Sequence, residues 1–506
     1  MASSFDAPAT GTVVSQDNRS WIANGQTTSS WVGRDAPQRF TSRRAVSFNT
    51  SLEGRAMLAA FFFSSLFFMW PYQTMVQAQT FLSMKFPEAA DSISPIMMIC
   101  LTLPIFLAHC LFVFTGCGQR ATYTCRIVGS CSCIILLVGS LCVIIMTSES
   151  KGLLLTAMYT AAFGMQCSGA FVQPAYFEMA GLLPSTMTSQ AVQAGIGAAG
   201  VVVCGVQILA RLASDGLQEA SLSSLQGLTY FFLGLTATAA ALQILLFFLI
   251  IRPSKLYAEY IDYAAHDSVI DAGPAAQSSF QSQGSQEISV AAARRIALRF
   301  SWPSVLCIII CFGATTLLWP SIAGVACVGS SASSGTLQSW WFEIIVTSFN
   351  IGDFLGRAEK VSLKWGARAL SPMTQLALSL LRAAIAAPLI LTASAPQLYS
   401  PDIAAWVVLV TIFFFGVSNG WLSTICYMRA PKALPADTPS SVAEQASTIL
   451  AMGMYWGLFT GCILAYYLTS HPLKGILGKC HVSGSGSLTH AVNQLAEEQV
   501  LPQIFQ

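Results

Sequence analysis

Ser348-Phe349-Asn350-Ile351-Gly352-Asp353-Phe354-Leu355-Gly356-Arg357 closes an apolar run that begins at residue 340. The run is long enough to cross the hydrocarbon of a bilayer, which takes about 20 apolar residues as a helix. A helix here puts Asp353 and Arg357 four residues apart on one face, within pairing distance, with Asn350 one turn earlier on that face. An acid and a base inside a membrane helix are costly unless they pair or meet water, so they mark functional sites by default. The fold turns on whether the rest of the chain is membrane-embedded.

Composition says that it is. Charged residues make up 9% of the 506, against about 25% in a typical soluble protein. Hydrophobic residues reach 54% and the mean hydropathy is +0.61. So few charges cannot cover so much apolar surface in water, and most of the chain must face lipid. Apolar runs at 56–80, 94–115, 127–147, 153–178, 190–212, 229–251, 303–328, 340–358, 374–394, 403–427 and 445–469 predict eleven transmembrane helices. The alternating ten-residue segments of a membrane barrel are not seen. The predicted fold is an all-α polytopic membrane protein. A polar tail over 1–54 precedes a six-helix bundle over 55–251, a hydrophilic loop over 252–301, a five-helix bundle over 302–470 and a tail over 471–506.

Lysine and arginine set the orientation. With the N-terminus cytoplasmic, eighteen of the 25 fall on inside segments, Arg126 among them, and five on outside ones, Arg211 among them. The N-terminus is therefore expected inside and, after eleven helices, the C-terminus outside. The six-plus-five division has an echo in Trp70-Pro71 of the first run and Trp319-Pro320 of the seventh. Proline removes a backbone hydrogen bond, and interrupted spans at matching places in two halves point to a transporter's midplane site.

Other polar residues in apolar runs complete a lining: Gln73, Gln77, Gln173 beside Pro174, Glu178, Arg382, Ser418 and Asn419. Asp353, Arg357 and Arg382 read either as a gating ion-pair network or as substrate contacts. Glu178 reads as interfacial or as a site of proton coupling, and His109 as a packed core histidine. The fifteen cysteines show no ligand spacing, so neither metal nor cofactor is expected. No zinc-protease pair, nucleophile elbow or Walker loop is present, which leaves no enzyme chemistry and no ATP-driven pump. A net charge of +2 suggests no nucleic-acid partner.

Four stretches together resemble the equilibrative nucleoside transporter family. Phe349 to Arg357 matches its FNxxDxxGR signature. Gln173 followed by Ala180-Gly181-Leu182-Leu183-Pro184 is similar to its fourth-helix pattern. Ser418-Asn419-Gly420 resembles its SNG, and Met69-Trp70-Pro71-Tyr72-Gln73 its LLPWN. The resemblance covers about 55–470. It implies a major-facilitator-like fold of two bundles that rock around a central cavity and carry nucleosides or nucleobases, purines favoured. Gln173 would then bond the base, Asp353 and Arg357 would hold the ribose hydroxyls, and Met69 and Tyr72 would line the pocket. Trp70, Trp319, Asn350 and Asn419 would complete it. Tyr72 stands where the family has tryptophan and Gln73 where it has asparagine. Glu178 replaces a small residue and would couple uptake to protons. The expected mode is thus facilitative or proton-coupled, in the plasma membrane. The alternatives are a carrier for another organic solute and a receptor without flux.

Overall fold

The computed structural model describes residues 48–115, 121–148, 150–183, 186–216, 221–262, 290–319, 334–358, 370–394, 401–430, 434, 438 and 440–470. The N-terminal tail to residue 47, the loop over 263–289, Pro320 and the tail over 471–506 lie outside them, with the expectations placed there. The long helices are α1 (Leu52–Lys85), α2 (Ala90–Thr115), α3 (Tyr123–Thr147), α4 (Lys151–Leu182), α5 (Thr186–Asp215) and α6 (Leu222–Leu246). After the loop come α7 (Val290–Leu318), α8 (Ser334–Arg357), α9 (Pro372–Ala384 and Ala386–Ser394), α10 (Pro401–Arg429) and α11 (Ser440–Ser470).

Helix starts follow from local chemistry. Ser51, Thr122, Ser221 and Ser371 each cap a first turn by accepting from a backbone N–H three residues on. Several helices outrun the apolar runs that predict them. Thirty-four residues of α1 span about 51 Å at 1.5 Å per residue, well past a hydrocarbon core of about 30 Å. The helical tract expected over Val290 to Phe300, with Arg294, Arg295 and Arg299, runs into α7 without a break. The ninth run, expected unbroken, is interrupted at Ile385. The reason is Pro388: it has no N–H for the carbonyl of Ala384, and its ring crowds that carbonyl.

Nine helices among the described residues are long and apolar enough to cross a membrane. The two long helices outside that set are α4 and α8. They carry Gln166, Gln173 and Glu178, and Glu343, Asp353 and Arg357, the polar residues that lower their hydropathy. The packing is inverted accordingly. Leu136 and Leu249 are each 71% exposed, on faces a bilayer would cover, whereas Gln193 is 1% exposed.

Before the loop, α1 packs on α4, α5 and α6; after it, α7 packs on α11 and α8 on α10. Among the described residues the groups meet chiefly where α5 packs on α8 and α2 on α11, with α4 against α11 and α5 against α10 beside them. Glycine permits the closest approaches, as small residues do between membrane helices. A Cβ on Gly457 of α11 would lie 2.4 Å from the carbonyl oxygen of Ile309 in α7.

Two arginines of the charge count are buried within helices. Arg126 lies in α3 and Arg211 in α5, 3% and 2% exposed, each paired with a buried acid. A helix end that ion-pairs sideways looks, in sequence, like one that meets water.

Candidate substrate site

The signature stretch of α8 is held by a reciprocal glycine contact with α10. Gly352 and Gly356 sit against the backbone of Phe413 and Val417, while Gly416 and Gly420 sit against that of Phe349 and Asp353. This approach brings Asn419 onto Asp353. Arg357 donates to both carboxylate oxygens of Asp353, from Nε at 2.7 Å and Nη2 at 3.2 Å, and Asn419 Nδ2 donates to the same carboxylate at 2.7 Å. The third arm of Arg357, Nη1, donates to Gln193 Oε1 of α5, and Gln190 Nε2 donates to the Arg357 carbonyl at 3.1 Å. Asp353 and Arg357 are 6% and 3% exposed. Two opposite charges in bidentate contact, with further bonds to amides, are what a buried pair needs to offset desolvation.

The chain of bonds continues away from the pair. Thr315 of α7 donates to Asn419 Oδ1 at 2.9 Å, and Arg382 Nη2 donates to Thr315 Oγ1 at 2.7 Å. Arg382 also donates to the carbonyls of Cys311 and Phe415 and to Ser418 Oγ, and its guanidinium lies 3.6 Å above the Phe415 ring. The expected ion-pair network of three charges is therefore one ion pair plus a separate cation. Arg382 reaches Asp353 only through Thr315 and Asn419, its own charge being met by carbonyl dipoles and an aromatic face.

A second group forms between α1 and α4. Gln173 Nε2 donates to Met69 Sδ at 3.1 Å, and Gln173 Oε1 is buried without a partner. Gln193 Nε2, Gln73 Oε1 and the indole N–H of both Trp70 and Trp319 are likewise buried and unpaired. Among the described residues, no hydrogen bond joins the Gln173–Met69 pair to Asp353 or Arg357. Tyr72 is half-buried against the main apolar core, and Trp70 packs with Leu66, Ala199 and Phe232. Asn350 turns from Asp353 toward α5, where its amide donates to Cys204 Sγ at 3.2 Å. Trp319 stacks on Phe349 with ring centroids 4.6 Å apart.

Glu178 is buried and ion-paired. Arg126 Nη1 and Nη2 donate to its two oxygens at 2.6 and 3.4 Å, and Arg126 Nε donates to the Phe171 carbonyl at 3.3 Å. Both partners belong to the helices before the loop. Arg126→Ala is expected to destabilise the protein by about 3 kcal/mol, since it strands a carboxylate in low dielectric. Arg126→Met with Glu178→Met should recover most of that, because no charge is then left buried; thermal unfolding in detergent checks both. Sequence reading passed over Gln193, Thr315 and Glu343. Glu343 carries the signal that Asp353 carries, an acid in the same apolar run. Gln193 and Thr315 carry none, being polar residues of a kind that also packs silently between helices.

The nucleoside transporter family model matches residues 159–470, more than half of the chain. The chain belongs to the nucleoside transporter family. Among relatives of established identity, it is 24% identical over 397 residues to equilibrative nucleoside transporter 1 of Rattus norvegicus, covering 74% of this chain and 81% of that one. For equilibrative nucleoside transporter 1 of Homo sapiens the identity is 25% over 401 residues, covering 73% and 81%. Among solved structures, the major facilitator superfamily proton:xylose symporter XylE superimposes with a TM-score of 0.52 at 13% identity, covering 82% of this chain and 90% of that one. That likeness is one of fold alone. With its family and its apolar helices, the chain is a multi-pass membrane transporter of major-facilitator architecture, and the family is one of carriers rather than enzymes.

Proposed function

We propose that this member of the nucleoside transporter family carries nucleosides and nucleobases, purines favoured, across the plasma membrane by alternating access. The observation that carries the reading is the Asp353–Arg357 pair held against Gln193, with Gln173 Oε1 buried and unpaired. A carboxylate accepts from vicinal hydroxyls and a guanidinium donates to them, so the pair suits a ribose. A free amide oxygen suits a base that offers an N–H. Met69 and Tyr72 line the pocket, with Trp70 and Trp319 as its aromatic walls. Asn350 and Asn419 hold α8 to its neighbours, and Arg382 anchors the far end of the bonded chain. The six-helix group over 55–251 rocks against the five-helix group over 302–470, with the N-terminus cytoplasmic and the C-terminus outside.

Transport is facilitative in this reading. Glu178 bonds a guanidinium with both oxygens, so a proton arriving there must displace a buried cation. The test is uptake of labelled adenosine, inosine, uridine and hypoxanthine into proteoliposomes, with and without an inward proton gradient. Saturable purine uptake that ignores the gradient is the expected result. Uptake driven by the gradient and lost in Glu178→Gln would replace the facilitative mode with symport. Failure of all four solutes, from folded protein, would overturn the substrate class.

A further inference from the structure

The α5–α8 seam holds a second buried ion pair, far from the site. Arg211 Nη1 donates to Glu343 Oε1 at 2.6 Å, and each side chain is 3% exposed. The Arg211 guanidinium lies 4.2 Å above the Trp340 ring, which shields it further, and Arg211 Nε has no partner. Glu343 precedes Asp353 by ten residues, about 15 Å along a helix at 1.5 Å per residue. The pair therefore makes no contact with a solute held at Asp353. Between them, at the level of Asn350, Cys204 closes the seam.

The two buried pairs outside the site differ in one respect. Arg126 and Glu178 both lie in the helices before the loop, so they stay together however the two groups move. Arg211 and Glu343 lie on opposite sides of the seam, and groups that rock apart at that end must separate them. In the closed seam each charge depends on the other, because the dielectric is low; Asp215, four residues on from Arg211 in α5, accepts instead from Ser214 and Ser224. In an opened seam water solvates both. A cross-seam pair of this kind has two states of comparable energy, which suits a switch better than a strut.

We infer that Arg211–Glu343 is the latch that closes the end of the α5–α8 seam remote from the substrate pair, and that it breaks and reforms in each transport cycle. The inference rests on the alternating-access reading and adds to it a gate that contacts no substrate. Its first test needs no substrate. Alkylation of Cys204 by N-ethylmaleimide, mapped by peptide mass spectrometry, reports opening of the seam. Cys131, fully buried among the helices before the loop, reports unfolding. Glu343→Gln is expected to raise Cys204 alkylation about tenfold with Cys131 unchanged, and Arg211→Glu with Glu343→Arg to return it toward wild type. Cys204 left as protected in Glu343→Gln as in wild type overturns the latch, as does a charge swap that leaves it equally reactive. Where Cys131 reacts too, the variant has unfolded and a second arm decides. Arg211→Cys with Glu343→Cys, bridged by a reducible bifunctional thiol reagent, should lose about nine-tenths or more of its flux and regain it on reduction. Full flux through bridged protein overturns the latch. Wild-type protein that moves no nucleoside or nucleobase defeats the substrate reading instead, and leaves the Cys204 arm standing.

Discussion

Asp353→Ala is expected to reduce saturable adenosine uptake by about a hundredfold or more, because removing one partner of a buried, hydrogen-bonded ion pair costs about 3–5 kcal/mol. Three donors converge on that carboxylate: two from Arg357 and one from Asn419. Alanine leaves a guanidinium facing a cavity with no counter-charge, still tethered to Gln193 on the other side of the seam. Part of the loss would be of fold rather than of recognition, so a second variant separates the two. Asp353→Asn with Arg357→Gln removes both charges and keeps shape and hydrogen-bonding groups. It should unfold near the wild-type temperature in detergent and yet transport no better than Asp353→Ala, since neither the acceptor nor the donor for ribose hydroxyls is then charged. If the double variant keeps uptake within about twofold of wild type, the charges serve the helices and not the solute.

The sequence made this pair legible for a simple reason. Its partners are four residues apart on one helix, and a helix has only one geometry for that spacing. What joins the pair to the rest of the molecule is long-range and was not legible. Gln193 meets Arg357 across 164 positions, and Thr315 meets Asn419 across 104. Nothing local in either stretch distinguishes a bonded amide or hydroxyl from one that lines packed helices. Charge counting weighs Arg126 and Arg211 by their distance from an apolar run and is blind to the acid that each one pairs with. Glu178 was singled out for its oddity in an apolar run. The guanidinium that pairs with it comes from another helix, 52 positions away, and leaves no local trace. The break in α9 could have been read from Pro388, and the helical course of α7 back to Val290 is legible in the arginine-bearing tract that leads into the seventh run.

The glycines of α8 and α10 were readable in part and decide the most severe substitution. Gly352 and Gly356 are four apart, as are Gly416 and Gly420, the spacing that aligns small residues along one helix face. In the structure the two faces meet. A Cβ on Gly420 would lie 2.0 Å from the carbonyl oxygen of Asp353 and 3.1 Å from Arg357 Cγ. The first obstacle is backbone, which no rotamer change relieves, so α10 must move away from α8. That movement stretches the Asn419–Asp353 bond first, and then the link through Thr315 to Arg382. Gly420→Val adds two methyl groups to the collision and is expected to cost about 4 kcal/mol or more, the range reserved for overpacked or strained cores. Recovery of monodisperse protein by fluorescence-detected size-exclusion chromatography should fall about tenfold, in step with the loss of folded state. Gly205→Ala is the matched control, because a Cβ there meets no atom within 4 Å. Equal recovery and equal melting of the two variants would mean that α8 and α10 tolerate separation. The contact would then owe its closeness to something other than the positioning of Asp353.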